Sequence, residues 1–317
     1  MKTILVTGAA GFIGSWTVEG LLKRGDKVIG IDNFSEYYDP VLKRARAKKF
    51  EKQCQIHEID ITDAQGIEKI FKQNKFDQVC HLAAQAGVRY SLENPFAYEH
   101  TNSLGTLTLL EACKKNSVGS FVYASSSSVY GGNTKVPFSV EDSVDKPISL
   151  YAATKRYNEL MAYTYFHLYK IHCTGLRFFT VYGPWGRPDM ALFKFAKAIL
   201  GGEAIDVYNH GKMKRDFTYV TDIAAGIMAS LDKNYPYEIF NLGNSQTVDL
   251  LYFIECIEKE LGKKAKKNLM ALQPGDVPET SADIEKSRKM LGFDPKVRIE
   301  QGIHEFISWY KSYFKLS

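Results

Sequence analysis

Thr3–Thr7 is an unbroken apolar and β-branched run, too short for a helix, and it predicts a strand buried on both faces. Phe12–Arg24 repeats its apolar residues at helical spacing and stops at Gly25. The two periods then alternate. Strands are expected at Lys27–Ile31, Gln55–Ile59, Gln78–Leu82, Ser120–Ala124 and Cys173–Phe178. Helices are expected at Val41–Glu51, Asp63–Asn74 and Pro95–Asn116, and from Ser149 to about Lys170. Such alternation reads as βαβ units in a doubly wound parallel α/β sheet. After about Val181 the texture changes to turns (Gly183-Pro184-Trp185-Gly186, Asn209-His210-Gly211, Gln273-Pro274-Gly275-Asp276) and short elements. Helices are expected there at Leu192–Leu200, Asp222–Asp232, Val248–Leu261 and Ile299–Phe314. The division predicted is a sheet domain over residues 1–180, with returning segments around 215–245, and a smaller C-terminal α/β lobe over 181–317.

Composition narrows this. A chain of 317 residues with 45% hydrophobic content suits two lobes with a sizeable core. The net charge of +5 is mild. Basic runs at Lys43, Arg44, Arg46, Lys48 and Lys49 and at Lys263–Lys267 read as solvated faces, without the aromatic interleaving of a nucleic-acid platform. The spare positive charge suits an anionic small substrate. Five dispersed cysteines without a CxxC pair argue for reduced thiols and against a disulfide, zinc or other metal framework. The N-terminus runs straight into a glycine loop, which leaves no room for a signal peptide. No apolar stretch reaches the ~18 residues that span a bilayer. A cytoplasmic enzyme without a membrane or nucleic-acid partner is expected.

Gly8-Ala9-Ala10-Gly11-Phe12-Ile13-Gly14 lies between the first strand and the first helix. One glycine permits the tight turn, the next lets backbone approach a diphosphate, and the third lets helix and strand pack closely. The helix N-terminus adds free N–H groups and a positive dipole end. Asp32 follows Gly14 by 18 residues, close to the spacing of an acid that binds adenosine ribose hydroxyls. Its charge would repel the extra phosphate of NADP, so the cofactor predicted is NAD, in a Rossmann-type domain. Asn33 beside it, Asp60-Ile61 after the third strand and Leu82-Ala83-Ala84 after the fourth complete the expected cofactor contacts.

Tyr151 and Lys155 are separated by one helical turn, so phenol and ammonium share a face. A free tyrosine, with a pKa of about 10, is too weakly acidic to act as a base at neutral pH. A nearby cation and the first turn of a helix capped by Ser149 would favour the phenolate. The pair would take a hydroxyl proton while NAD takes the hydride. Ser125-Ser126-Ser127-Ser128 end the fifth strand and would hydrogen-bond the reacting hydroxyl and the tyrosine.

These residues resemble the extended short-chain dehydrogenase/reductase family, in particular its nucleotide-sugar epimerases. The likeness runs through Thr7-Gly8 to Gly14, His81 to Ala84, Asn102 with Gly105-Thr106, Ser125 to Gly131, Tyr151 to Lys155, Leu176 to Gly183, Arg215-Asp216-Phe217 and Pro274-Gly275-Asp276. It implies Ser126 as the catalytic serine, Asn102 and Ser125 in the cofactor pocket, Arg215 on the nucleotide diphosphate and Asp276 on a ribose. It also implies a homodimer built on helices 95–116 and 149–170. Family dehydratases carry Asp-Glu where this chain has Ser127-Ser128, and family decarboxylases carry Glu at the position of Ser128. Elimination needs an acid and base beside the tyrosine, which serines cannot supply, so a 4-epimerase is implied. Gln273 and Thr180 stand where epimerases of neutral UDP-hexoses have Arg and Asn. Asp39-Pro40, Gln85 to Arg89 and Gly183 to Met190 look like the UDP-glucuronate 4-epimerases. That likeness makes Arg89, Ser127, Ser128, Thr180, Arg187 and Met190 candidates for contacting a UDP-sugar and its carboxylate. Ser128 would also act in catalysis. An epimerase of UDP-glucose or a UDP-N-acetylhexosamine is the runner-up, and a dehydratase or decarboxylase the reading from another class. A 4-keto uronate loses CO₂ when its carboxylate leaves the carbonyl plane. Hydroxyls of Ser127, Ser128 or Thr180 are expected to hold it where that geometry is disfavoured.

Overall fold

A computed structural model describes residues 1–273 and 275–316; Pro274, quoted above for its motif, lies outside the described residues. In chain order the elements are β1 Thr3–Thr7, α1 Phe12–Lys23, β2 Lys27–Asp32, α2 Pro40–Lys48, β3 Gln55–Glu58, α3 Ala64–Gln73 and β4 Gln78–His81. Then come α4 Tyr90–Glu93, α5 Pro95–Tyr98, a π-helical turn Glu99–Leu104, α6 Gly105–Lys115, β5 Ser120–Ser126, α7 Leu150–Tyr169, β6 His172–Phe178 and β7 Thr180–Tyr182. The remainder is α8 Ala191–Gly201, β8 Ala204–Val207, β9 Lys214–Tyr219, α9 Val220–Lys233, β10 Tyr237–Leu242, β11 Thr247–Asp249, α10 Leu250–Leu261, β12 Lys266–Leu269, α11 Glu285–Leu291 and α12 Ile299–Phe314.

The seven-stranded sheet runs β10-β6-β5-β4-β1-β2-β3, and every pairing in it is parallel. Alternate side chains of β1 divide between its faces. Ile4 and Val6 join the apolar cluster under α1 and α9, with Val18, Leu21, Ile223 and Ile227. Leu5 joins the cluster under α3, α6 and α7, with Ile67, Leu109 and Ala162. The doubly wound α/β expectation therefore holds. Strand order reverses between β1 and β4, and in open sheets that reversal opens a crevice beyond the strand ends. Glycine loop, Asp32 and Leu82–Ala84 all lie there.

The C-terminal part holds a third core, in which Phe193, Phe217, Phe253, Ile303 and Phe306 pack together. Its small sheets, β11-β9-β7 and β12-β8, were not expected. β10 was not named as a strand, but it lies within the segments expected to return near 215–245 and pairs with β6 in the large sheet. The single helix expected over 95–116 is instead α5 and α6 joined through the π-helical turn.

The first basic run is only in part a solvated face: Arg44, Lys48 and Lys49 are exposed, but two of its cations are not. Arg46 is fully buried and Lys43 is 6% exposed. Arg46 donates to the carbonyls of Trp185 (2.7 and 3.0 Å), Gly186 (3.1 Å) and Ala10 (3.3 Å) and to the Tyr38 hydroxyl (2.6 Å). Carbonyl dipoles replace the lost water, which is what a buried cation requires.

Candidate active site

One cleft of about 450 Å³ opens at the crevice. Its wall gathers Gly8, Gly11, Phe12, Ile13, Gly14, Asp32, Asn33, Ile61, Leu82, Ala83 and Ala84 with Ser125, Ser126, Ser127, Ser128, Tyr151, Lys155, Thr180, Arg187, Met190, Arg215 and Asp276. Residues from both halves of the chain thus share one chamber. Asp60, Asn102 and Arg89 are not on that wall.

At the glycine end, Gly8 has φ +69°, and a Cβ there would sit 2.8 Å from the Ala83 nitrogen. A Cβ on Gly14 would sit 1.9 Å from the Gly8 carbonyl oxygen. The glycines are therefore required by backbone contact, and they bring the N-terminus of α1 to the cleft. Gly11 caps α1 without a side-chain bond. The N–H groups of Phe12, Ile13 and Gly14 have no partner among the described residues. A row of free N–H groups at a dipole's positive end fits a diphosphate. Asp32 accepts N–H bonds from Ala10 (3.0 Å) and Phe34 (2.9 Å). Burial pushes its carboxyl up, while these bonds and the cations of Lys43 and Arg46 pull it back. Each oxygen keeps a lone pair for a ribose hydroxyl. The arrangement fits a dinucleotide.

Asp60 is held behind the wall, accepting from Asn33 Nδ2 (2.7 Å), Thr62 N (2.9 Å) and Thr62 Oγ1 (2.7 Å). Asn102 sits in the π-helical turn and acts on the loop after β4. It accepts from Gln85 N (2.9 Å) and donates to Gln85 O (3.0 Å) and Thr154 Oγ1 (3.1 Å). His81 is a satisfied strand residue between the hydroxyls of Thr7 (2.8 Å) and Thr106 (3.0 Å). Burial pushes its imidazole down to about 3, so the ring stays neutral.

Ser149 caps α7 as expected, accepting from Ala152 N at 3.2 Å. Tyr151 and Lys155 both line the cleft. Their electrostatics differ from the expectation. Burial raises the Tyr151 phenol; the influences that lower it are the Ser126 hydroxyl and the charge of Arg187. Lys155 donates to the Ala124 carbonyl at 2.9 Å, and burial pushes it down to about 8. The ammonium is thus directed at the end of β5 rather than spent on the phenol. Ser126 Oγ accepts from Ser128 N (3.2 Å) and Ser128 Oγ (2.8 Å). Ser125 instead donates to Glu159 (2.7 Å), which is also gripped by Arg177 at 2.8 and 3.0 Å.

At the far end, Arg89 pairs with Asp276 at 3.1 Å and lies over the Tyr208 ring at 4.6 Å. Arg215 donates to the carbonyls of Lys214 (3.0 Å) and Pro278 (3.1 Å). It does not pair with its neighbour Asp216, which is buried and accepts from Asn244 N (2.6 Å), Ala282 N (2.9 Å), Ser245 N (3.0 Å) and Thr218 Oγ1 (3.2 Å). The sequence reading missed Ser35, Tyr37, Tyr38 and Lys43, which also line the cleft. The available signal was the Tyr37-Tyr38 pair directly after an acid-ended strand.

The profile of the family described as GDP-mannose 4,6 dehydratase matches residues 5–306. Protein MJ1055 of Methanocaldococcus jannaschii is 55% identical over 98% of this chain and 96% of its own length. UDP-glucuronate 4-epimerase 4 of Arabidopsis thaliana is 50% identical over 98% of this chain and 76% of its own. Among solved structures, UDP-glucuronic acid 4-epimerase from Bacillus cereus, in complex with UDP-glucuronic acid and NAD, superposes with a TM-score of 0.92. It is 36% identical, over 98% of this chain and 99% of that one.

Proposed function

We propose an activity on one premise: the chain belongs to the extended short-chain dehydrogenase/reductase family, in the branch that the GDP-mannose 4,6 dehydratase profile describes. It is an NAD-dependent UDP-sugar 4-epimerase. The substrate we assign it is UDP-glucuronate, interconverted with UDP-galacturonate.

Bound NAD supplies a site that takes up a hydride and gives it back, and a positive charge on its oxidised ring. Phe12, Ile13 and Gly14 would hold its diphosphate through their N–H groups, and Asp32 its adenosine ribose, with Asn33, Ile61 and Leu82–Ala84 around them. We assign cofactor binding to residues 1–180 and the returning segments near 215–245, and the nucleotide-sugar to residues 181–317. Tyr151 is the base that removes the proton from the sugar's 4-hydroxyl. It would return that proton to the same oxygen once the 4-keto sugar has turned over in the chamber. Because burial raises the phenol, added positive charge is needed to make it a base. Arg187 and the Lys155 ammonium would supply it from the protein, and a bound oxidised cofactor would add to it. Ser126 orients the reacting hydroxyl. Ser127, Ser128 and Thr180, with Arg187, bind the uronate carboxylate; Met190 packs on the sugar. Arg215 neutralises the diphosphate, and Asp276, which Arg89 holds at 3.1 Å, accepts from the uridine ribose.

The observation that carries this reading is the chamber itself. It joins a dinucleotide turn to a tyrosine–lysine pair, and hydroxyls with one arginine stand where elimination would need carboxylates. Incubation with UDP-glucuronate should give an epimer of unchanged mass, and Tyr151→Phe should abolish turnover while sparing NAD binding. A product of lower mass would instead mark a lyase, and activity confined to UDP-glucose a neutral-hexose epimerase.

We also assign a homodimer. Leu107 on α6 and Leu160 and Tyr163 on α7 are exposed apolar side chains on neighbouring helices, which supports a shared helical interface. A cytoplasmic location is consistent with five free, buried cysteines. Among the described residues, no helix is long and apolar enough to cross a membrane.

A further inference from the structure

The loop after β6 and β7 carries Arg187, and its backbone is held from the other half of the chain. Trp16 Nε1 donates to Pro184 O at 3.1 Å, and Arg46 binds the carbonyls of Trp185 and Gly186. The Arg187 side chain is then fixed separately. Its Nε and Nη2 donate to the two oxygens of Asp189, at 3.0 and 2.5 Å. The Tyr37 hydroxyl donates to the same carboxylate at 3.1 Å. The Tyr37 ring packs on Tyr90 at 4.9 Å, which fixes where that hydroxyl points.

A guanidinium has five N–H donors in a rigid fork. The two bonds to Asp189 leave three, of which the Tyr37 hydroxyl lies close enough to take one. One forked edge therefore remains for a second carboxylate in the cleft. A free arginine loses rotamer freedom when it grips a ligand. Here the side chain is immobilised beforehand, which removes that cost from binding. The held Arg187 stands on the same wall as Tyr151, Ser127, Ser128 and Thr180.

Resting on the UDP-glucuronate reading above, we propose that Tyr37 and Asp189 are positioning residues that aim Arg187 at the substrate carboxylate. They thereby set the preference for a uronate over a neutral hexose. Neither residue touches the reacting atoms. Their effect is confined to one end of the sugar and should vanish when that end carries a hydroxymethyl group.

The test uses the NAD-loaded full chain, with Asp189→Asn and Tyr37→Phe. Calorimetry compares UDP-glucuronate with UDP-glucose, and steady-state assays follow UDP-glucuronate. Asp189→Asn should weaken binding of UDP-glucuronate about tenfold, equal to about 1.4 kcal/mol, and leave UDP-glucose within about twofold. Tyr37→Phe keeps the ring and removes one hydrogen bond, so a change of about threefold in the same direction is expected. KM for UDP-glucuronate should rise more than kcat falls, and the fraction of UDP-pentose by-product should increase. NAD content of each variant reports folding, and Tyr37→Phe carries the test if Asp189→Asn does not fold. An unchanged preference between the two ligands in the folded variants overturns the positioning role while the epimerase reading stands. A wild-type enzyme that ignores UDP-glucuronate overturns both.

Discussion

Replacing Lys155 by methionine should stabilise the protein in the absence of cofactor while abolishing turnover. Lys155 is 2% exposed, and no carboxylate pairs with it among the described residues. Burial penalises the charged form and lowers its pKa from 10.5 to about 8. The folded state therefore binds this proton less readily than the unfolded chain. The penalty is fully present below about pH 8, shrinks as pH rises toward 10.5, and is gone above that. The difference amounts to about 3 kcal/mol at neutral pH. Methionine fills a similar volume without charge. It forfeits the bond to the Ala124 carbonyl, a loss of about 1 kcal/mol. A net gain of about 2 kcal/mol remains, or a rise in Tm of roughly 3 °C for a chain of this size. Calorimetric melts of cofactor-stripped wild type and Lys155→Met at about pH 7 and about pH 10 test it. Turnover should fall by a factor on the order of 10³. A Tm equal to or below wild type near pH 7, or a gain undiminished near pH 10, would refute the reasoning.

Gly14→Ala drives a methyl into the Gly8 carbonyl, 1.9 Å away. NAD affinity should fall about 10- to 100-fold, from overpacking worth ~1–3 kcal/mol, and titration calorimetry measures it. Asp32→Asn removes the charge that repels a ribose phosphate but leaves Lys43 beside it; the preference for NAD over NADP should drop at least about tenfold in paired affinity measurements. Ser128→Glu puts a carboxylate where the resemblance says decarboxylases have one, and chromatography should show more UDP-pentose by-product. No rise in that product would count against hydroxyl control of the keto acid.

The large sheet was legible because each of its first strands carries its own signal. Thr3–Thr7 is apolar throughout, and its bounds agree with β1. Ile299–Phe314 agrees with α12 to the residue, since its buried seam of Ile299, Ile303, Phe306, Ile307 and Tyr310 repeats at helical spacing. The small strands were not legible. Ala204–Val207 pairs with Lys266–Leu269, about sixty positions on, and neither four-residue piece is long enough to stand out as a strand. The glycine loop, Asp32, Tyr151 and Lys155 could be found because their spacing is local. Lys43 and Arg46 could not: a basic run looks solvated until carbonyls from residues 185 and 186 arrive to bury it. The same limit applied to Tyr151. Spacing puts Lys155 near it, but only the packed interior shows that burial raises the phenol and that Ser126 and Arg187 are the groups that lower it.

The buried Arg46 has a consequence for anyone redesigning this enzyme's sugar preference. Its guanidinium ties the turn after β1 to the segment that carries Arg187. Transplanting residues 183–190 from a relative with a different sugar would leave that cation facing carbonyls of another shape. The exchangeable module is therefore discontinuous, and a successful graft has to import residues 35–46 with the loop they hold.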